Sequence, residues 1–226
     1  MEADEVIKRI KSMRNQRNIE GMTRFGINPK NTYGVPIPVL RGMAKKIGSD
    51  HKLAQELWGS GIHEARILAG LVDDPKRVTE RQVEAWVKEF DSWDVCDQVC
   101  MNLFDKTPFA FGKAKEWATR KEEFVKRAGF ALMAALSVHD KKAADVEFER
   151  LLPLIKRGST DERNFVRKAV NWALRQIGKR NLTLNKKAIA AAKEIQKTDS
   201  KAARWIAADA LRELEGEKVQ ARLKRK

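Results

Sequence analysis

Trp93 and Asp97 stand four residues apart in Ser92-Trp-Asp-Val-Cys-Asp97, a spacing that puts both side chains on one face of a helix. A carboxylate beside an indole face suits a positively charged reacting centre, because both groups attract cations. A second tryptophan, Trp172, ends the cationic segment Phe165-Val-Arg-Lys-Ala-Val-Asn-Trp172. Laid out at roughly 100° per residue, the first helix has Cys96, Val99, Cys100 and Leu103 at its apolar centre, with Trp93, Asp97 and Phe104 on one shoulder. Asp97 is then partly desolvated, which strengthens its pull on a cation. The same position also suits an ordinary ion pair with a neighbouring Lys or Arg. Asp94 and Gln98 point elsewhere and read as solvated. His51, His63 and His139 share no ligand spacing with one another or with the cysteines, so a metal site has no support. No glycine-rich phosphate loop or nucleophile elbow occurs, and no cofactor is implied.

These residues sit in a strongly basic chain. Its 226 residues carry 46 Lys and Arg against 31 Asp and Glu, a formal charge of +15 and a pI near 9.9. Such an excess points to a polyanionic partner or an anionic membrane surface. It is uneven, since residues 156–226 hold 20 Lys and Arg against 8 Asp and Glu. Part of it lies in the basic C-terminal tail at 221–226, read as a solvated end. Cys96 and Cys100 share one helical turn, which excludes a disulfide framework and favours a reducing, cytoplasmic compartment. The longest uncharged apolar stretch, Ala128 to Val138, is far short of the ~20 residues of a membrane span.

Periodicity is helical almost throughout, as at Val6, Ile10 and Met13 or at Leu53, Leu57 and Trp58, and no alternating run supports a strand. Breakers at 26–38, 59–61, 73–75, 107–108, 158–159 and 178–181 cut the chain into helices of about 10 to 18 residues. Three later helices resemble one another: Lys126-Arg-Ala-Gly-Phe-Ala-Leu-Met133, Arg167-Lys-Ala-Val-Asn-Trp-Ala-Leu174 and Arg204-Trp-Ile-Ala-Ala-Asp-Ala-Leu211. Their starts differ by 41 and 37 residues, close to the period of helical-hairpin repeats. The expected fold is all-α, a single-domain curved superhelix of HEAT-like repeats over residues 1–220, with a cation recurring along one face. Trp58, Trp86 and Trp117 read as core, and core packing is also the default for Trp172 and Trp205.

Taken in order, Tyr33-Gly-Val-Pro-Ile-Pro-Val-Leu-Arg41, Trp-Asp-x-x-Asp at 93–97 and Arg-Lys-Ala-x-x-Trp at 167–172 resemble the AlkD family, the alkylpurine DNA glycosylases of the HEAT-like repeat type. The resemblance implies Asp97 as catalytic carboxylate, Trp93 and Trp172 as the two aromatic side chains of the site, and Arg127 as a phosphate contact. Ser92 stands where some relatives carry another tryptophan. The implied substrate is double-stranded DNA with N3- or N7-alkylated purines, excised by a monomer without base flipping. Candidate DNA contacts are Arg41, Lys126, Arg127, Arg163, Arg167, Lys168, Lys179 and Arg180. Two other readings stay open: a non-catalytic binder of distorted or branched DNA, and a helical-repeat adaptor for an acidic protein.

Overall fold

The computed structural model describes residues 2–225, which form fifteen α-helices and one short 3-10 turn at Phe104–Lys106, with no strand among them. The backbone divides into two compact units, Met1–Thr107 and Pro108–Lys226. No helix among the described residues is long and apolar enough to cross a membrane.

The first unit holds α1 (Ala3–Ser12), α2 (Gln16–Arg24), α3 (Ile37–Ile47), α4 (His51–Gly59), α5 (His63–Val72), α6 (Glu80–Lys88) and α7 (Trp93–Asn102). Short polar side chains start several of them. Asn15, Asp50 and Thr79 accept the N–H groups of Asn18, Leu53 and Gln82, and so cap α2, α4 and α6. The central helix is α5, which packs against α1, α3, α4 and α7. A Cβ on Gly70 of α5 would stand 3.0 Å from the Val99 side chain, so α5 and α7 approach closely. Trp58 and Trp86 stack at 4.0 Å between ring centroids in the core, as expected.

The second unit holds α8 (Ala110–Trp117), α9 (Glu123–His139), α10 (Asp145–Glu149), α11 (Leu152–Gly158), α12 (Asn164–Gly178), α13 (Leu182–Gln196), α14 (Lys201–Leu214) and α15 (Glu217–Lys224). The expected repeats are α9, α12 and α14, whose first residues lie 41 and 37 positions apart. Bonds between them keep that offset: Arg127 reaches the Phe165 carbonyl 38 residues on, and Asn171 reaches Asp209, also 38 on. Such equal-offset contacts mark stacked repeats, in which each hairpin buries its apolar face on its neighbour. Trp117 is fully buried, as expected. The segment read as a basic tail is mostly helical, because Leu223 of α15 is buried and anchors it; Lys226 lies outside the described residues.

Several breaks contain neither Gly nor Pro and are not announced by the sequence, among them 118–122 and 140–144. The break at 140–144 is a tertiary product. Arg180 donates to the carbonyls of Ser137, Asp140 and Ala143 at 2.7 to 3.1 Å, closing the end of α9, while Asp140 accepts the N–H groups of Lys142 and Ala143.

Two outcomes test this packing. A Cβ on Gly129 would fall 2.3 Å from the Ala118 backbone nitrogen, whereas none stands within 4 Å of one on Gly112. Gly129→Ala is expected to cost about 1–3 kcal/mol in chemical denaturation, because backbone cannot yield as a side chain does; Gly112→Ala is expected to be neutral or stabilising. The second concerns His63 of α5, whose Nε2 lies 2.8 Å from Asp94 Oδ2 of α7. Burial opposes its charge, but the hydrogen bond to Asp94 and the charges of Asp94, Glu64 and Asp91 outweigh it and raise its pKa above the ordinary 6.5. The protonated pair therefore stabilises the fold fully below pH 6.5 and loses that contribution as pH rises through the raised folded-state value. Thermal melts should show Asp94→Asn most damaging below pH 6.5, with the gap closing at higher pH; a gap independent of pH would contradict the pairing.

Candidate functional site

The start of α7 is fastened to the loop after α2. Ser92 is fully buried, and its hydroxyl accepts the Asn28 N–H at 3.0 Å, while Asp91 accepts the Asn28 side-chain amide at 2.7 Å. One residue on, the Trp93 indole N–H donates to the Phe25 carbonyl at 3.0 Å. These bonds orient the half-buried indole before any ligand arrives. They also suit a serine at position 92: a small hydroxyl fits this enclosed point and an indole does not.

Asp97 follows on the next turn and is half-buried, which agrees with the shoulder position read from the sequence. Beneath it lie Cys96, Val99 and Cys100, all fully enclosed. The Cys100 thiol is pushed well above its ordinary 9.0 by burial, by its hydrogen bond and electrostatic interaction with Cys96, and by the negative charges of Asp97 and Asp105. It stays protonated and is no nucleophile at neutral pH.

Asp94 departs from expectation. It is buried, not solvated, and its carboxylate engages His63 and the Val95 N–H. Asp94 keeps the angle that helix geometry gives it, but α5 packs over the side that an isolated helix would leave in water. Together with Trp93 and Gln98, Asp94 lines an apolar groove of about 590 Å³ walled by Met22, Phe25, Ile27, Val35, Ile37 and Ile67; Asp97 does not line it.

A further carboxylate, Glu64, had no signal beyond its place in the first turn of α5. It is 1% exposed and accepts the N–H groups of Tyr33, Gly34 and Val35, the closest at 2.6 Å. Gly34 has φ of 74°, and a Cβ there would meet the Asn15 carbonyl at 2.5 Å. The Tyr33-Gly-Val segment is thus a backbone loop wrapped around a buried anion.

Tertiary packing sorts the candidate cations. In the second unit Lys126 and Arg163 both grip Asp161, at 2.8 and 2.7 Å. Burial of Asp161 opposes its ionisation, yet hydrogen bonds from Arg163 and Lys126 hold its carboxyl far below the ordinary 3.8. Arg127 is 5% exposed, with its guanidinium on the Phe165 carbonyl. Lys179 pairs with Glu213 at 2.6 Å. Arg180 serves the three carbonyls that end α9, and burial lowers its pKa. Arg167 lies over the Trp205 ring, 5.2 Å from its centroid. Lys168 is exposed and makes no side-chain hydrogen bond or ion pair among the described residues, and Arg41 in the first unit is in the same position. Trp172, one turn beyond Lys168 on α12, is half-buried. Trp205 departs from the core default: it remains 39% exposed, because α14 turns that position toward Arg167 and solvent.

Net charge separates the units. Residues 1–107 hold 17 Lys and Arg against 16 Asp and Glu, and residues 108–226 hold 29 against 15. Nearly all of the +15 excess therefore lies in the second unit.

Comparison with known proteins gives this arrangement a setting. Lin0241 of Listeria innocua, an uncharacterized protein, is 26% identical over 198 residues, which cover 86% of each chain. Lmo0209 of Listeria monocytogenes, also uncharacterized, is 25% identical over the same share. A solved structure, described as a new family related to the HEAT-like repeat DNA glycosylases with affinity for branched DNA structures, superposes with a TM-score of 0.78 at 21% identity. It covers 94% of this chain and 95% of its own. That likeness extends to the fold, an all-helical array of HEAT-like repeats. The sequence pattern of the family described as DNA alkylation repair enzyme matches residues 6–214, and the chain belongs to that family.

Proposed function

We propose that the protein is a monofunctional DNA glycosylase that excises cationic N3- and N7-alkylated purines from double-stranded DNA. The observation that carries this reading is the α7 turn itself, with a half-buried carboxylate at Asp97 four residues from an indole already oriented by the Phe25 carbonyl. An alkylated purine bears a positive charge, so its glycosidic bond breaks without a general acid and leaves an oxocarbenium-like sugar. What remains for the protein is to stabilise positive charge and to position water. Asp97 does both in this scheme. Trp93 and Trp172 add cation–π attraction toward the deoxyribose, about 0.5–2 kcal/mol each.

DNA affinity follows from the second unit, whose excess charge releases counterions from the phosphate backbone. Exposure favours Lys168 there, and Arg41 in the first unit, as direct contacts. Arg127, Arg163, Lys126, Lys179 and Arg180 act in this scheme mainly by holding the helices that present those contacts.

Asp97→Asn keeps shape while removing charge, so release of methylated purine from duplex DNA should fall by about 10²-fold, or ~2.7 kcal/mol, with affinity for undamaged duplex unchanged. Trp93→Ala and Trp172→Ala should cost less. Full excision by Asp97→Asn would overturn the assignment; no excision by the unmodified chain would leave a DNA binder without chemistry. In salt titrations Lys168→Ala should lower the log–log slope by up to about 1. Arg180→Ala should leave the slope in place and instead lower stability by about 1–3 kcal/mol, since three carbonyls lose their donor.

A further inference from the structure

Trp205 has no role in the proposed excision, yet its surroundings have a chemistry of their own. Its ring is 39% exposed, an unusual state for the largest apolar side chain. The Arg167 guanidinium lies over it at 5.2 Å. That guanidinium is poorly satisfied: Nη2 makes one long bond of 3.4 Å to Asn164, and Nε is buried with no hydrogen-bond partner. The Ala202 N–H and the Ser200 hydroxyl bond to Glu162, and with the charges of Arg167 and Lys201 they lower its pKa below the ordinary 4.5. Lys168 on α12 and Lys201 on α14 are exposed, and Arg204 pairs with Asp199 at 2.9 Å.

A partly exposed indole, a guanidinium with unused donors and exposed lysines on the same two helices are together what a nucleotide needs: a surface for the base and donors for its phosphate. Bases in an intact duplex are stacked on one another and offer no face to an indole. An unpaired base does. We propose that Trp205 and Arg167 form a platform for an unpaired nucleotide of DNA, with the base stacked on the indole and the phosphate on the guanidinium. This platform is independent of excision and extends what the protein binds from damaged duplex to DNA with single-stranded character.

The test compares the full chain with Trp205→Leu, which keeps an apolar helix former but removes the ring, and Trp205→Phe, which restores a π-face. Anisotropy titrations would use one duplex and the same duplex carrying a short single-stranded gap. Trp205→Leu should lose about tenfold in affinity for gapped DNA and less than twofold for the intact duplex, and Trp205→Phe should recover most of the loss. Both variants should melt close to the parent, since the position is exposed. Equal losses on the two DNAs, no loss on either, or failure of Phe to improve on Leu would overturn the platform. Excision of methylated purine by Trp205→Leu should stay within twofold of the parent. Absence of excision in the parent would sink the glycosylase reading while leaving this result interpretable.

Discussion

The packing of α12 on α14 decides what the second unit can do. Along one side of α12, Arg167, Asn171, Arg175 and Lys179 recur at four-residue spacing, and along α14 so do Trp205, Asp209 and Glu213. The two rows meet rung by rung: Arg167 with Trp205, Asn171 with Asp209, Arg175 and Lys179 with Glu213. A row of cations that would form a continuous basic stripe on an isolated helix is therefore mostly neutralised by the next repeat. At the end of the ladder, where an indole replaces a carboxylate, the Arg167 guanidinium keeps donors to offer, and on the flank of α12 Lys168 faces solvent with no ion pair or side-chain hydrogen bond among the described residues.

The first unit uses buried anions to the same effect. Glu64 gathers three backbone N–H groups of the 33–35 loop, and Asp94 holds His63, so α5 is tied on one side to that loop and on the other to α7. Buried carboxylates are costly unless fully engaged, and here the engagement gives α7 a defined position. Trp93 and Asp97 sit on that helix, one turn apart, and inherit its rigidity. Preorganisation of this kind is what a charge-stabilising site requires, because groups that need not reorient lose nothing when positive charge develops.

The two units differ in charge: the first, which holds Trp93 and Asp97, is nearly neutral, while the second carries almost all of the excess positive charge.

Local chemistry was legible in the chain. Helical period, breakers and the 41- and 37-residue recurrence establish an all-α repeat protein, since apolar residues at helical spacing have no other stable arrangement. The four-residue step from Trp93 to Asp97 and the shoulder position of Asp97 follow from helix geometry alone. The burial of Trp58, Trp86 and Trp117 follows from their apolar neighbours in sequence. Partnership did not follow. Asp94 reads as solvated but α5 covers it, Arg180 and Arg127 set guanidinium donors on carbonyls of distant helices that no motif announces, and Trp205 reads as core but α14 presents it outward. Those partners lie 31 to 43 residues away in the chain, beyond the reach of any helical period. A charge declares its sign in the sequence, but whether it is free depends on what the fold brings against it.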